Sequence, residues 1–363
     1  MRITLAAAAL TAAALGTAAC GTAVATSAAA YQTGTVKSPG WRVVQTIGPE
    51  KGNVSGLLAA DSAKDAWSVW SGPGLSLVER WTGSAWTRIP VPGRLAAVAG
   101  SAVAIGASSA SDFWLFDTSQ PAKVLRWTGA RWTLQAIPSW VLRRDSSGTI
   151  TATTAVFGPR DVWVFSLGTG GYAARYNGHA WAKVRLPAAP LGVSAVAPDD
   201  IWALSASISS VMHWNGKKWA AVGLPLLPLP SGAKVSYSSL TAAGPADAWL
   251  VRTISLPSRL PATTVMHWNG RSWLTVGGPA DIVGSMAPDG NGGLWADGID
   301  INPGGFWFLY HLAGGHWKQY TPPGVDTHSP TPLTRIPGTR SLWAAGSAFT
   351  SKGFYGVLLK DGP

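Results

Sequence analysis

Apolar residues fall in short runs along nearly the whole chain, and polar or glycine-bearing turns interrupt them at regular intervals. The clearest stretch spans residues 193 to 222. There Val193 to Ala197, Ile201 to Ser205, Val211 to Trp214 and Lys218 to Val222 are separated by Asp, Ser, Asn and Gly. Runs this short, bounded by turn formers, predict strands rather than helices. The Asn215 and Gly216 pair predicts a two-residue hairpin turn with positive φ at both positions.

Two signals recur with this pattern. The first, Asp-x-Trp or a variant, falls at Asp65 to Trp67, Asp112 to Trp114, Asp161 to Trp163, Asp200 to Trp202, Asp247 to Trp249, Gly293 to Trp295 and Ser341 to Trp343. The second, best seen as HWNGKKW from His213 to Trp219, follows at Trp81 to Trp86, Trp127 to Trp132, Tyr176 to Trp181, Trp214 to Trp219, Trp268 to Trp273 and Leu312 to Trp317. A repeat of this length is one supersecondary unit that buries its apolar faces only against its neighbours. After the seventh Asp-x-Trp variant the chain ends without a closing Trp, while Trp41, Arg42 and Val43 look like the last strand of a unit that has no front. The expectation is an all-β, seven-bladed propeller of four-stranded antiparallel blades, in which the N-terminal strand completes the C-terminal blade. Such closure removes the exposed edges of an open sheet. The propeller should occupy residues 40–363 as a single domain, after a linker over 31–39.

Of the 21 Trp, 17 sit at repeat positions and Trp41 adds one more. Each buries roughly 150 to 250 Å², which at about 25 cal/mol per Å² is near 5 kcal/mol before entropy is subtracted. Most are therefore expected to be packing. The Asp of Asp-x-Trp is expected to accept backbone amides at the turn before its strand. Its absence at Gly293 and Ser341 argues for a structural role. His213 and His267 occupy the place of Arg80 and Arg126 and are read as structural too.

The phrases DVWVFSLG, DIWALSAS and HWNGKKW resemble the repeats of secreted β-propeller proteins common in actinobacteria, and more distantly kelch and tectonin-type repeats. The resemblance covers about Trp41 to Gly362. It implies a propeller but no single activity, because such folds host lectins, scaffolds and enzymes. The sialidase-type Asp box is missing, and the expected propeller has no Cys for a crosslinked copper site.

Residues 1–30 read as a leader, with Arg2 before an apolar stretch of Ala, Leu and Thr. Two endings compete: cleavage after Ala30, or acylation of Cys20 as in a bacterial lipoprotein, although Thr17 stands where Leu is usual. The first implies a secreted protein, and the second a surface-tethered one whose only membrane contact is the lipid anchor. The single Cys means that disulfides cannot hold the fold outside the cell. A net charge of +11 favours anionic surroundings. The basic residues are scattered, so no nucleic-acid stripe is predicted. A monomer is expected.

Function is expected on the irregular loops, which strand parity places together on one face, here the top, opposite the uniform turns. Trp140, Arg143, Arg144 and Asp145 form the most site-like cluster, offering an aromatic face and guanidinium forks for a carboxylate. Trp70, Arg252 and His328 are further candidates. Asp289, Asp297 and Asp300 crowd in sequence but match no calcium loop, and no metal or cofactor is expected. The reading is a non-catalytic extracellular binding or scaffolding module, with a glycan, cell-wall polymer or protein at the top-face funnel. The alternative is a secreted hydrolase or lyase using Asp145, Asp297, Asp326 and His328.

Overall fold

The computed structural model describes residues 36–37, 40–117, 122–207, 209–226, 229–257, 259–279, 282–299, 307–323 and 332–362. Seven sheets, each built on four antiparallel strands that follow sequence order in the first six, form the blades of a propeller. Blade 1 comprises Ser55–Ser62, Asp65–Gly72, Leu75–Trp81 and Trp86–Arg88. Blades 2 to 6 repeat this order and begin at Ala102–Ser109, Ala152–Gly158, Pro190–Ala197, Lys234–Gly244 and Ile282–Pro288. Blade 7 joins Leu333–Arg335, Leu342–Thr350 and Gly353–Asp361 to the N-terminal strand Arg42–Glu50. In that pairing Arg42 faces Lys360 and Thr46 faces Val357, so the ring closes as the repeats predict. Blade 6 gains a fifth strand, Val36–Lys37, parallel to His316–Thr321.

The two sequence signals are the two halves of one interface. The Trp of Asp-x-Trp projects into the next blade and meets the aromatic pair of the second signal. Trp163 lies 5.3 Å from Trp214, Trp202 6.3 Å from Trp268, Trp114 5.5 Å from Tyr176 and Trp343 5.2 Å from Trp81. Trp67 stacks on Phe113 at 4.4 Å. These edge-to-face and offset contacts suit aromatic quadrupoles and bury the largest side chains in the chain.

The Asp of Asp-x-Trp behaves differently from its expected role. Its carboxylate pairs with an arginine or histidine on the third strand, and that side chain lies over the Trp. Arg80, Arg126 and Arg175 serve blades 1 to 3, while His213, His267 and His311 serve blades 4 to 6, at 2.5 to 2.9 Å from the carboxylate. The guanidinium carbons sit 4.6 to 6.0 Å from the ring centroids, and the imidazoles stack at 3.9 to 4.2 Å. In blade 6, where the sequence has Gly293, the carboxylate comes from Asp289 in the preceding turn. Asp289 reaches His311 at 2.9 Å, and a Cβ on Gly293 would stand 2.4 Å from its oxygen. In blade 7, Lys360 takes the place of that side chain over Trp343 at 5.6 Å.

The Asn turns also differ from expectation. Only the glycine is left-handed, as at Gly216 with φ 84°. Asn215 works through its side chain, which accepts the amides of Lys217 and Lys218. A helix that the strand pattern hides, Gly93–Gly100, joins blades 1 and 2 and buries Leu95, Val98 and Ala99, an i, i+3, i+4 stripe.

Candidate functional site

The first strand of every blade is innermost, and it pairs only with its own second strand. Seven such strands surround an axial cavity of roughly 650 Å³. Its wall is built from the C-terminal half of each first strand, including Leu58 to Asp61, Ile105 to Ser108 and Ser194 to Val196. It therefore lies toward the uniform turns and not under the irregular loops. The cause is side-chain size: Ala59, Ala60, Gly106, Ala107, Ala195 and Ala287 leave the axis open here. Inner-strand serines tie neighbouring blades together around it. Ser194 accepts the Ala242 amide at 2.9 Å, and Ser285 accepts that of Leu333 at 2.9 Å.

The candidates read from the sequence separate into three groups. Trp70 is wholly buried, packed where Gly56 and Gly356 leave no room even for a Cβ, and donates to Ser68 at 3.1 Å. It is core. Arg252 is only 6% exposed. It donates to the Thr264 hydroxyl at 3.2 Å, but one terminal nitrogen has no partner. Burial pulls its pKa down, against the Tyr237 charge that acts the other way. His328, Asp326, Asp300 and Cys20 lie outside the described residues. Asp297 is fully buried and accepts the amide of Ser285, so it offers nothing to solvent. Trp307 is buried in the core, as its apolar surroundings suggest.

The third group is the Trp140 loop, and here the structure adds two residues that the sequence does not point to. Trp140 is half-buried against the core between blades 2 and 3. Tyr172, at the start of the third strand of blade 3, meets it edge-on at 6.0 Å and donates its hydroxyl to the Trp140 carbonyl at 3.2 Å. Arg143 lies over the Tyr172 ring at 5.6 Å and contacts its hydroxyl at 3.4 Å. Lys183, from the outermost strand, sits 5.2 Å from the Trp140 centroid and 4.8 Å from that of Tyr172. Arg143 and Lys183 are exposed, and no acidic side chain pairs with either among the described residues. Asp145 does not neutralise them. It accepts the amides of Ser147 and Thr149 and the Ser147 hydroxyl. The Ser147 hydroxyl and these amides hold its carboxyl below the usual range. Arg144 closes the same loop by donating to the Gly148 carbonyl at 2.6 Å. The result is an aromatic and cationic patch on the rim between blades 2 and 3, away from the axial cavity. Tyr172 and Lys183 carry no sequence signal because they reach Trp140 only after the blade folds.

No family model matches the chain, and no curated protein matches it. Among solved structures it is similar to YCF48 bound to D1 peptide, at 13% identity and a TM-score of 0.54, over 91% of this chain and 99% of that one. A YCF48 from Cyanidioschyzon merolae matches at 17% identity and a TM-score of 0.46, covering 77% of this chain and 99% of that one. A six-bladed fucose-binding lectin from Aleuria aurantia matches at 11% and 0.43, over 74% and 94%. The first of these likenesses shows the fold alone.

Proposed function

We propose that this propeller is a non-catalytic extracellular binding module whose rim patch between blades 2 and 3 takes an anionic glycan or envelope polymer. The observation that carries this reading is the half-buried Trp140 and Tyr172 pair bracketed by two cations without acidic partners. Such an arrangement suits a sugar ring bearing carboxylate or phosphate: the ring's C–H face packs on the indole, and the cations meet the charge. The net charge of +11 and the leader-like N-terminal stretch are consistent with an anionic extracellular target. The exterior location, on the sequence's own evidence, belongs to the same proposal.

Binding of the purified protein to an array of neutral and acidic glycans and cell-wall polymers tests it, with Trp140→Ala, Arg143→Ala and Lys183→Ala alongside. Selective binding to acidic members, weakened about tenfold or more in each variant and falling with salt, is the expected result. Binding that ignores all three substitutions or prefers neutral glycans removes the rim patch from consideration.

A further inference from the structure

The axial cavity is lined by two charged side chains of opposite sign, each with one buried polar atom that the fold leaves without a partner. Asp61 is the last residue but one of the first strand of blade 1, and Arg335 ends that of blade 7, its neighbour around the ring. One carboxylate oxygen of Asp61 and the Nε of Arg335 are buried without a partner. No ion pair joins them to each other, or to any other residue among those described. Three hydroxyls of the same wall are engaged within the fold. Ser108 donates to Asp112 at 2.6 Å, Thr154 donates to the Trp163 carbonyl at 2.6 Å, and Ser194 accepts the Ala242 amide.

The surplus charge can be located. Asp61 lies beside Asp65, whose carboxylate is held by Arg80. Two carboxylates against one guanidinium leave a net negative charge at the cavity wall. Burial first, and then the Asp65 charge, push the Asp61 carboxyl up to about 6, the behaviour of a group that lacks a counter-cation. Arg335 supplies the opposite surplus one blade away. Unpaired buried polar groups in a native fold call for a partner, and a cavity near 650 Å³ is the size of a small-molecule site. Leu58, Ile105 and Met286 line the remainder with apolar surface.

We infer that the axial cavity is a binding site for a small zwitterion, an α-amino acid with an apolar side chain, whose ammonium faces Asp61 and whose carboxylate faces Arg335. The site is independent of the rim patch.

Calorimetric titration of the full chain with L-leucine, N-acetyl-L-leucine and L-leucinamide tests this, because the two derivatives each lack one charge. Leucine should bind in the millimolar range or tighter, and each derivative about tenfold or more weaker. Asp61→Asn should weaken leucine without affecting N-acetyl-leucine, and Arg335→Gln should weaken leucine without affecting leucinamide. That crossed pattern assigns each charge to its partner. Ala195→Phe, which fills the cavity without touching either charge, should abolish binding of all three and provides the test should a charge variant fail to fold. Equal affinity for the three compounds, no saturation at millimolar concentrations, or leucine binding that survives Ala195→Phe would overturn the assignment.

Discussion

Blades 1 to 3 and blades 4 to 6 meet the same structural demand with different side chains. In both sets a carboxylate fixes a planar donor over an indole that reaches into the next blade. The first set uses arginine and the second histidine. The planar donor with a polar edge is common to both, whereas the length of the side chain is not. The position thus depends on geometry over the ring, and the stacked Trp is the part that both sets share. Arg175 and Asp161 form two hydrogen bonds, at 2.8 and 3.0 Å, where His213 makes one to Asp200. At Arg175 the guanidinium fork therefore supplies a second donor that the imidazole lacks.

If the indole carries the interface, Trp163→Ala and Trp202→Ala should each cost about 3 to 5 kcal/mol in denaturant unfolding, with no difference between the arginine and histidine blades. A much smaller loss at Trp202 would break the equivalence. The displaced carboxylate of blade 6 offers the next largest effect. Burial alone would push Asp289 up, but the bond from His311 and the amides of Asn291 and Gly293 outweigh it and hold the carboxyl below its usual range. Because the folded value is depressed, its contribution is present above the unfolded value of 3.8 and is lost as pH falls through the folded one. Asp289→Ala should cost about 1 to 3 kcal/mol at pH 7, and the gap from the parent protein should close in acid. A pH-independent gap would mean that the turn needs Asp289 for its shape alone.

Arg252 sharpens the comparison from the other side, being an arginine with neither the carboxylate nor the stacked indole. Arg252→Met removes a buried, half-satisfied guanidinium and should raise stability by about 1 kcal/mol or more. Destabilisation would reveal a partner beyond Thr264. Glu79 is the reverse case, a carboxylate buried beside Arg80 in sequence but bonded to Gln45 at 2.9 Å. Burial pushes its pKa up, against the Gln45 bond and the Arg88 charge. The folded form therefore prefers the protonated acid. That preference is met below the unfolded value of 4.5 and becomes a cost as pH rises through the raised one. Glu79→Gln should add about 0.5 to 1 kcal/mol at pH 7 and nothing near pH 4, measured as the shift in unfolding midpoint.

The ring was legible in the sequence because its interfaces are written locally: Asp-x-Trp and the aromatic pair each lie within a few residues. What escaped reading depends on distant chain segments. Trp70 sits three residues after Trp67, so it points to the opposite face of the strand, into space left by Gly56 and by Gly356 of the last blade. The carboxylate of blade 6 moved four positions into a turn, where the motif no longer shows it. The rim patch was half visible, since Trp140 and Arg143 are close in sequence whereas Tyr172 and Lys183 come from later strands. The axial opening follows from small residues distributed over seven units, none of which is informative by itself.

Closing the ring with Arg42–Glu50 also sets an order of events in time. This strand is synthesised before any blade, yet its pairing partner Gly353–Asp361 is made last. Until the two meet, blade 7 has three strands and an open edge, and contacts of such large sequence separation form slowly. A strand from a second copy has the same sequence and fits the same edge, so domain exchange competes with closure whenever newly made chains are crowded. Docking of the first-made strand on the last-made one is thus the step that takes this edge out of reach of any other chain.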